Sequence, residues 1–270
     1  MIIFRDVFGK KLINLRDIGG LKTSDGRRVV CGRLFRGGKL YDLPKRSVET
    51  LKKLGIKTII DLRTLTEAHD HPDTEIDGVK RLELPTITTV TDAMNEEKTM
   101  RLTMKRESKR LNIEFDSAED YMMETYRSIM NNDEPKSSLR AFIQTVVKAD
   151  APLMWHCTSG KDRTGICAML LESLLGVEEG EMLSDYLYSN RRLFRRNVFY
   201  AFMLTIAPMK RKFKKILIGY LGVKKRYFMN IREELKTRYG GVVEYCKAEL
   251  GVTDEDVARM RQKYLLRDSM

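Results

Sequence analysis

The chain has 270 residues, of which 42% are hydrophobic and 33% are charged, and its formal net charge is +12. This apolar share is enough for a sizeable core and excludes an intrinsically disordered chain. Charged residues begin at Arg5, and the longest apolar run, residues 198–207, is about half as long as a membrane span. We therefore expect a cytoplasmic protein without a signal peptide or a transmembrane segment, with export by a non-classical route left open.

Taken in chain order, the local patterns predict strands that alternate with helices. Asp25 and Gly26 predict a tight hairpin turn. Strands are predicted at residues 33–36, 56–62, 79–84 and 153–155. Helices are predicted at residues 47–54, from 117, from 135, and at 166–175, 178–190, 192–207, 210–221, 227–239, 242–250 and 254–265. This order predicts one α/β domain over residues 1–270, with a central, mostly parallel sheet flanked by helices.

Positive charge is concentrated in one segment, because residues 191–230 contain twelve Lys and Arg residues and no Asp or Glu. Such a field favours an anionic partner, and phosphorylated substrates, acidic lipids and nucleic acids all qualify. We interpret the segment as a basic helical lid within the domain, open to peripheral contact with an anionic membrane. A helical hairpin with its apolar side in the core is the alternative. We expect no nucleic-acid partner, and the sequence leaves the oligomeric state open.

The chain has four cysteines, Cys31, Cys157, Cys167 and Cys246. Their spacing does not match a zinc site or a disulfide framework. Cys31, Cys167 and Cys246 are interpreted as small buried hydrophobic residues, although Cys31 is also considered as a disulfide partner for Cys157 under oxidation. With only three histidines, a metal-dependent hydrolase is poorly supported, and we expect neither a metal nor an organic cofactor.

The segment from His156 to Gly165 carries the chemistry, since it joins a predicted strand to a predicted helix. Its loop places backbone N–H groups and the positive end of the helix dipole around an anion. Arg163, at the end of the loop, adds a two-pronged contact to phosphate oxygens. The same field, with a contribution from His156, favours the thiolate of Cys157. We expect Cys157 to be a nucleophile, in a phosphate-binding loop of Thr158, Ser159, Gly160, Lys161, Asp162 and Arg163.

These residues resemble the active loop of the protein tyrosine and dual-specificity phosphatases. The fuller similarity is to a bacterial family of tyrosine-phosphatase-like enzymes, which also act on serine and threonine phosphates and on phosphoinositides. The similarity covers most of the chain. The motifs that carry it are residues 14–20 (NLRDIGG), 34–38 (LFRGG), 60–63 (IDLR) with Glu67, 156–165 (HCTSGKDRTG), 185–190 (DYLYSN) and 239–241 (YGG).

The resemblance implies two-step hydrolysis of a phosphate monoester through a phosphocysteine. Cys157 would be the nucleophile and Arg163 the phosphate clamp. Lys161 resembles the loop lysine of phosphatases that accept phosphoinositides, and Thr164 stands where a hydroxyl helps the sulfur to leave. The expected substrate is phosphotyrosine, with phosphoserine and phosphothreonine as further candidates. A phosphoinositide or an inositol phosphate is the alternative.

The general acid stays open between two aspartates. Asp162 is this family's distinctive loop aspartate and is the first choice. Family members often carry an Asp just after the strand that ends here near Pro85, but the first Asp after that strand in this chain is Asp92. Asp92 is therefore the second choice.

Two rival functions of other classes are disfavoured. A phosphate-binding pseudoenzyme would normally lack the cysteine or the arginine of the loop, and both are present. A sulfurtransferase of the rhodanese type also places a cysteine in an anion-binding loop, but the flanking motifs argue against it.

Other polar residues of the motifs are expected to support the loop rather than to react. Arg16, Asp17, Asp61 and Arg63 are expected to form an ion-pair and turn network around it. Asp185 and Asn190 either orient the loop or face solvent. The stripe of Met122, Met123 and Tyr126 is expected to belong to the core.

Overall fold

The computed structural model describes residues 5–7, 9, 11–87, 118–206 and 211–266. The strands of these ranges are β1 (Arg5–Asp6), β2 (Arg16–Asp17), β3 (Leu34–Gly37), β4 (Thr58–Asp61), β5 (Lys80–Glu83) and β6 (Leu153–His156). They form one sheet in the order β1-β2-β3-β6-β4-β5. β2 is antiparallel to both β1 and β3, whereas β3, β6, β4 and β5 run parallel. The predicted mostly parallel sheet is confirmed, and the antiparallel edge was not predicted.

The helices of the described ranges lie on both faces of this sheet. They are α1 (Lys45–Lys53), α2 (Leu65–Asp70), α3 (Ala118–Asn131), α4 (Asp133–Lys148), α5 (Arg163–Leu175), α6 (Glu179–Ile206), α7 (Arg211–Tyr220), α8 (Lys225–Tyr239), α9 (Val242–Leu250) and α10 (Asp254–Tyr264). The prediction of separate helices at residues 178–190 and 192–207 is wrong, because both belong to α6. No Gly or Pro occurs between residues 181 and 206, so nothing in the local sequence ends the helix.

Two hydrophobic cores cover the two faces of the sheet. Successive side chains of a strand point to opposite faces, so Leu153 and Trp155 pack into one core and Met154 packs into the other. The larger core contains α5, every residue of which is buried. The absence of a polar face on α5 matches its position against the centre of the sheet.

The parallel strands place three chain segments at one edge of the sheet. Gly37 at the end of β3 and Asp61 at the end of β4 are both in register with His156 at the end of β6. The loop after β6 therefore emerges between the segments that follow β3 and β4. This is the edge at which the predicted phosphate-binding loop lies.

Two further sequence expectations can be compared with the described residues. The hairpin turn at Asp25 and Gly26 is confirmed, since Gly26 has φ +90° and Lys22 pairs antiparallel with Arg28. Among the described helices, none combines the length and the apolar character needed to cross a membrane.

Candidate active site

The loop of residues 157–162 connects the end of β6 to the start of α5. Gly160 has φ +68°, and a Cβ atom at this position would lie 2.4 Å from the carbonyl carbon and oxygen of Gly37. Only glycine avoids both the strained conformation and this clash. The resulting turn directs the N–H group of Gly160 to the sulfur of Cys157, at 3.3 Å.

Cys157 is buried at the base of this loop, where its environment favours the thiolate. Burial alone would raise the pKa of its thiol. The guanidinium of Arg163 and the hydroxyl and amide of Thr164 outweigh burial, so that the pKa lies below its ordinary value. A cysteine in such an environment, at the start of a helix, has the chemistry needed to act as a nucleophile.

Arg163 is fixed by Glu67, which lies 96 positions earlier in the chain. The Nη1 and Nη2 atoms of Arg163 lie 2.5 and 2.8 Å from the two carboxylate oxygens of Glu67. Glu67 also accepts a hydrogen bond from the Thr158 hydroxyl at 2.5 Å and caps α2 through Thr64. Burial would raise the pKa of Glu67, but Arg163 and the hydrogen bonds lower it to about 2. The planar fork of Arg163 is thereby held in one orientation at the loop.

Asp162 lies beside Cys157 in the pocket wall and is held on both of its oxygens. The Tyr126 hydroxyl donates to one oxygen at 2.7 Å, and the ammonium of Lys161 lies 2.6 Å from the other. Because Tyr126 gives its proton to Asp162, the 2.7 Å contact between the Tyr126 and Tyr186 hydroxyls must be donated by Tyr186. Lys161 also donates to the carbonyl of Tyr220 at 2.8 Å. Tyr126 is a core residue, as predicted, but its contact with the loop was missed.

Two arginines of the N-terminal motifs share one buried carboxylate behind the loop. Asp185 accepts a hydrogen bond from Arg16 Nε at 2.7 Å and pairs with Arg36 through its other oxygen. Arg36 and Asn14 both donate to the carbonyl of Gly160, at 3.3 and 2.8 Å. Asp185 is fully buried, so the alternative in which it faces solvent is wrong.

Asn190, in contrast, does not contact the loop. Its side-chain amide exchanges two hydrogen bonds of 2.8 Å with the backbone of Val223, which ties α6 to the turn before α8.

A second charged cluster lies under the loop around His156. Arg63 Nη2 lies 2.6 Å from Asp61 and 2.8 Å from Asp73, and Arg81 lies 3.0 Å from Asp61. His156 Nε2 lies 2.8 Å from Asp73. Burial would lower the pKa of His156, but the two carboxylates outweigh it and raise the pKa.

The donor atoms of Asp61, Asp73 and His156 lie close enough together to hold a metal ion. The guanidinium groups of Arg63 and Arg81 already neutralise the two carboxylates. The cluster is therefore an ion-pair network, as expected for Asp61 and Arg63. Asp73 was missed, because nothing in the sequence around it marks it as a partner.

The other three cysteines do not belong to this loop. Cys167 and Cys246 are fully buried, and burial raises the pKa of both thiols. Cys31 precedes the start of β3, whereas Cys157 follows the end of β6, and these strands are parallel and in register. The two cysteines are therefore separated by the length of a strand, roughly 10 Å. A disulfide needs Cα atoms within about 7 Å, so the proposed Cys31–Cys157 disulfide is wrong.

An open pocket lies at the loop, and Cys157 is one of its lining residues. Its volume is about 410 Å³ when the adjoining open solvent is included. Part of its wall comes from α3 and from Tyr220 at the end of α7. The lining residues are Ile87, Tyr121, Met122, Thr125, Cys157, Ser159, Asp162, Arg163 and Tyr220. Asp92, the second choice for the general acid, lies outside the described residues.

The basic segment contacts this site from one side. On α6, Leu193 is buried and Arg196 donates from Nη2 to the Ser159 hydroxyl at 3.1 Å. The alternative of a helical hairpin with its apolar side in the core therefore holds for Leu193. Four other apolar residues of α6, spaced four apart, are instead 51–64% exposed: Phe194, Val198, Phe202 and Ile206. We call these four residues the outer stripe.

A cysteine of lowered pKa and a fixed arginine, in a loop between a central parallel strand and a buried helix, are typical of a phosphatase site. The comparisons with known proteins agree with this class. The profile of the tyrosine phosphatase family matches residues 9–266, and the chain belongs to that family. It is therefore a phosphatase, a hydrolase of phosphoric monoesters.

Two curated relatives align with nearly the whole chain. One is the triple specificity protein phosphatase PtpB of Mycobacterium tuberculosis, 28% identical over 92% of this chain and 95% of its own length. Another is a Cupriavidus necator protein, provisionally named a tyrosine-protein phosphatase, 31% identical over 93% of this chain and 85% of its own length. Among solved structures, TpbA of P. aeruginosa matches 69% of this chain and 79% of its own at 16% identity. Its TM-score is 0.32.

Proposed function

We propose that the chain hydrolyses phosphotyrosine, and also phosphoserine and phosphothreonine, through a phosphocysteine intermediate. The observation that carries this proposal is the lowered pKa of Cys157 at the base of a loop whose arginine is already oriented. The thiolate attacks phosphorus while the bond to the ester oxygen breaks, which gives a thiophosphate enzyme and a leaving alkoxide or phenoxide. Water then attacks phosphorus, the S–P bond breaks, and inorganic phosphate leaves.

Each loop residue has a distinct part in this proposal. The fork of Arg163 binds two oxygens of the transferred phosphoryl group, and backbone N–H groups bind the rest. The protonated form of Asp162 gives its proton to the leaving oxygen, and the resulting carboxylate takes a proton from the attacking water. Thr164 lies next to Cys157 and stabilises the sulfur as it departs.

Replacing Cys157 tests the nucleophile. Cys157→Ser should abolish turnover of an aryl phosphate and retain vanadate binding, because the loop donors remain. Cys31→Ser is the matched control and should keep activity, since Cys31 lies at the opposite end of the sheet. Arg163→Lys should lose most activity, because a point charge does not replace the fork. Turnover by Cys157→Ser close to that of the parent enzyme would overturn the mechanism.

The assignment of the acid to Asp162 has its own test. A phenoxide leaves with less help from a proton than an alkoxide does. Asp162→Asn should therefore lower kcat for a phosphoserine peptide more than kcat for an activated aryl phosphate. An unchanged rate and pH profile would exclude Asp162 and direct attention to Asp92.

A phosphoinositide or inositol phosphate is the second candidate substrate. Lys161 supports it, since its ammonium stands in the loop next to Asp162. The name of the mycobacterial relative describes a triple specificity, which is consistent with a broad substrate range in this family. Comparing kcat/KM for phosphotyrosine peptides, phosphoserine peptides and soluble phosphoinositides, with Cys157→Ser as the blank, ranks the candidates.

We further propose that residues 191–230 are a basic helical lid within the domain. The lid contacts an anionic membrane. The outer stripe supports this proposal, because soluble proteins rarely leave a continuous row of large apolar side chains in water. Arg191, Arg211 and Lys215 are exposed in the same segment, which contains no acidic residue. An apolar stripe with basic neighbours is the pattern of a helix that lies in the interface of an anionic bilayer.

Sedimentation with vesicles tests this contact. The chain should bind vesicles that contain phosphatidylserine and should not bind pure phosphatidylcholine, and salt should weaken binding. Replacing Phe194 and Phe202 together by Ser should weaken binding about tenfold or more, since two exposed aromatic rings are removed. Leu266→Ser, which removes a half-exposed leucine elsewhere, is the control. If the double variant binds like the parent, or if the stripe instead drives self-association in light scattering, the membrane proposal fails.

A further inference from the structure

Arg196 is a half-buried cation that reaches the loop of residues 157–162 from a helix outside the family motifs. Its Nη2 atom donates to the Ser159 hydroxyl at 3.1 Å, and its Nε atom is buried without a hydrogen-bond partner. Its neighbour Arg195, by contrast, is exposed to solvent. Among the residues that the structure describes, no carboxylate forms an ion pair with Arg196.

The other two cations of the loop are already neutralised. Arg163 pairs with both oxygens of Glu67, and Lys161 pairs with Asp162. Arg196 also contacts this loop, and no described carboxylate forms an ion pair with it. Removing a charge from water without a partner is unfavourable. Burial accordingly lowers the pKa of Arg196, and an anion bound beside it would relieve this cost.

Ser159 places this unbalanced charge next to the reacting phosphate. It lines the pocket together with Cys157 and Arg163, and its hydroxyl receives the hydrogen bond from Arg196. An ester bound in the loop would thus have Arg196 at the flank of its phosphoryl group. An anion that Arg196 binds there would belong to the same substrate molecule.

We propose that Arg196 forms a second anion subsite, which binds a second phosphate on a multiply phosphorylated inositol. This inference rests on the proposed phosphatase function and specifies its substrate class. The guanidinium fork matches the oxygens of a phosphate group. An inositol lipid is favoured over an acidic peptide, because Arg196 stands on α6, the helix whose other face carries the outer stripe.

The test compares Arg196→Gln with Arg195→Gln, its exposed neighbour, which removes the same charge. Substrates are short-chain phosphatidylinositol bisphosphate and monophosphate that remain monomeric, so that membrane binding does not contribute. Arg196→Gln should raise KM for the bisphosphate on the order of tenfold relative to its effect on the monophosphate, which is the loss of one charge-assisted hydrogen bond. Arg196→Lys should restore part of this difference. Arg195→Gln should change neither KM value.

Each other result overturns the subsite. Equal changes in KM for both lipids would mean that Arg196 only positions Ser159 through their hydrogen bond. Unchanged KM values would mean that Arg196 does not contact the substrate. A selective loss confined to a phosphotyrosine peptide with neighbouring Asp residues would assign the subsite to acidic peptides instead. Hydrolysis of an aryl phosphate by the parent, with Cys157→Ser as the blank, shows separately whether the proposed phosphatase function itself holds.

Discussion

Replacing Glu67 by Gln measures how much the buried carboxylate contributes to the active loop. The pKa of Glu67 falls from its ordinary value of 4.5 to about 2, since Arg163 and the hydrogen bonds outweigh burial. Because the pKa is lower in the folded chain, the ionised carboxylate stabilises the fold above pH 4.5. That contribution disappears as the pH falls from 4.5 towards about 2. The difference corresponds to about 3 kcal/mol at neutral pH.

We therefore expect Glu67→Gln to lower the free energy of unfolding in urea by about 3 kcal/mol at neutral pH. The gap between parent and variant should shrink in acid, because protonation makes the parent resemble the variant. The kcat/KM of an aryl phosphate should also fall, since Arg163 loses the partner that orients it. Glu49→Gln, at an exposed position of α1, is the control and should change neither quantity. A loss of stability that is equal at neutral pH and near pH ~3 would refute the reasoning.

Three further predictions concern the groups around the loop. Asp185→Asn should lower the free energy of unfolding in urea by about 3–5 kcal/mol, because it leaves two buried arginines without their carboxylate. A loss of stability below about 1 kcal/mol would contradict this prediction. His156 has a raised pKa, so its stabilising effect should be complete below pH 6.5 and fade as the pH rises through its folded pKa. In urea titrations the gap between the parent and His156→Gln should narrow in alkali, and a widening gap would argue against the ion-pair network. Tyr126→Phe removes one of the two described contacts of the Asp162 carboxylate. It should lower kcat for a phosphoserine peptide more than kcat for an aryl phosphate. Equal losses of kcat for the two substrates would mean that Tyr126 does not act through Asp162.

The loop of residues 157–162 could be located from the sequence because its signals are local. An apolar strand, a cysteine, a glycine at the turn and an arginine that starts a helix follow one another within a few residues. The β-branched run before Asp61 and the apolar residues before His156 predicted the parallel strands for the same reason. Strands that pair in parallel bring their carboxyl ends together, and in the structure this places the loop after β6 beside the segments that follow β3 and β4.

The partners of the loop could not be derived from local patterns, because they are distant in the chain. Glu67 was known only as part of a motif, and its pairing with Arg163 spans 96 positions. The contact of Tyr126 with Asp162 depends on where α3 packs, and a tyrosine in an apolar helical stripe resembles any other core residue. Arg196 lay unremarked among the twelve cations of the basic segment, because its inward orientation is set by the path of α6.

The N-terminal motif has a physical role that follows from the geometry of an anion-binding loop. When successive N–H groups of a loop converge on a phosphate, its carbonyl groups must point the other way, into the protein. Each buried carbonyl then needs a donor. The side-chain amide of Asn14 donates to the carbonyls of Ser159 and Gly160. The guanidinium of Arg36 also donates to the carbonyl of Gly160, and the N–H of Lys39 donates to the carbonyl of Thr158.

These donors must themselves be held in place, and this requirement accounts for the buried charges behind the loop. Arg36 donates to the loop while its charge is balanced by Asp185, and Arg16 fixes the side-chain oxygen of Asn14 while it binds the same carboxylate. The motifs at residues 14–20, 34–38 and 185–190 are therefore one structural unit. It satisfies the outward carbonyl groups of the loop, and the inward N–H groups are the ones that would bind the proposed phosphate.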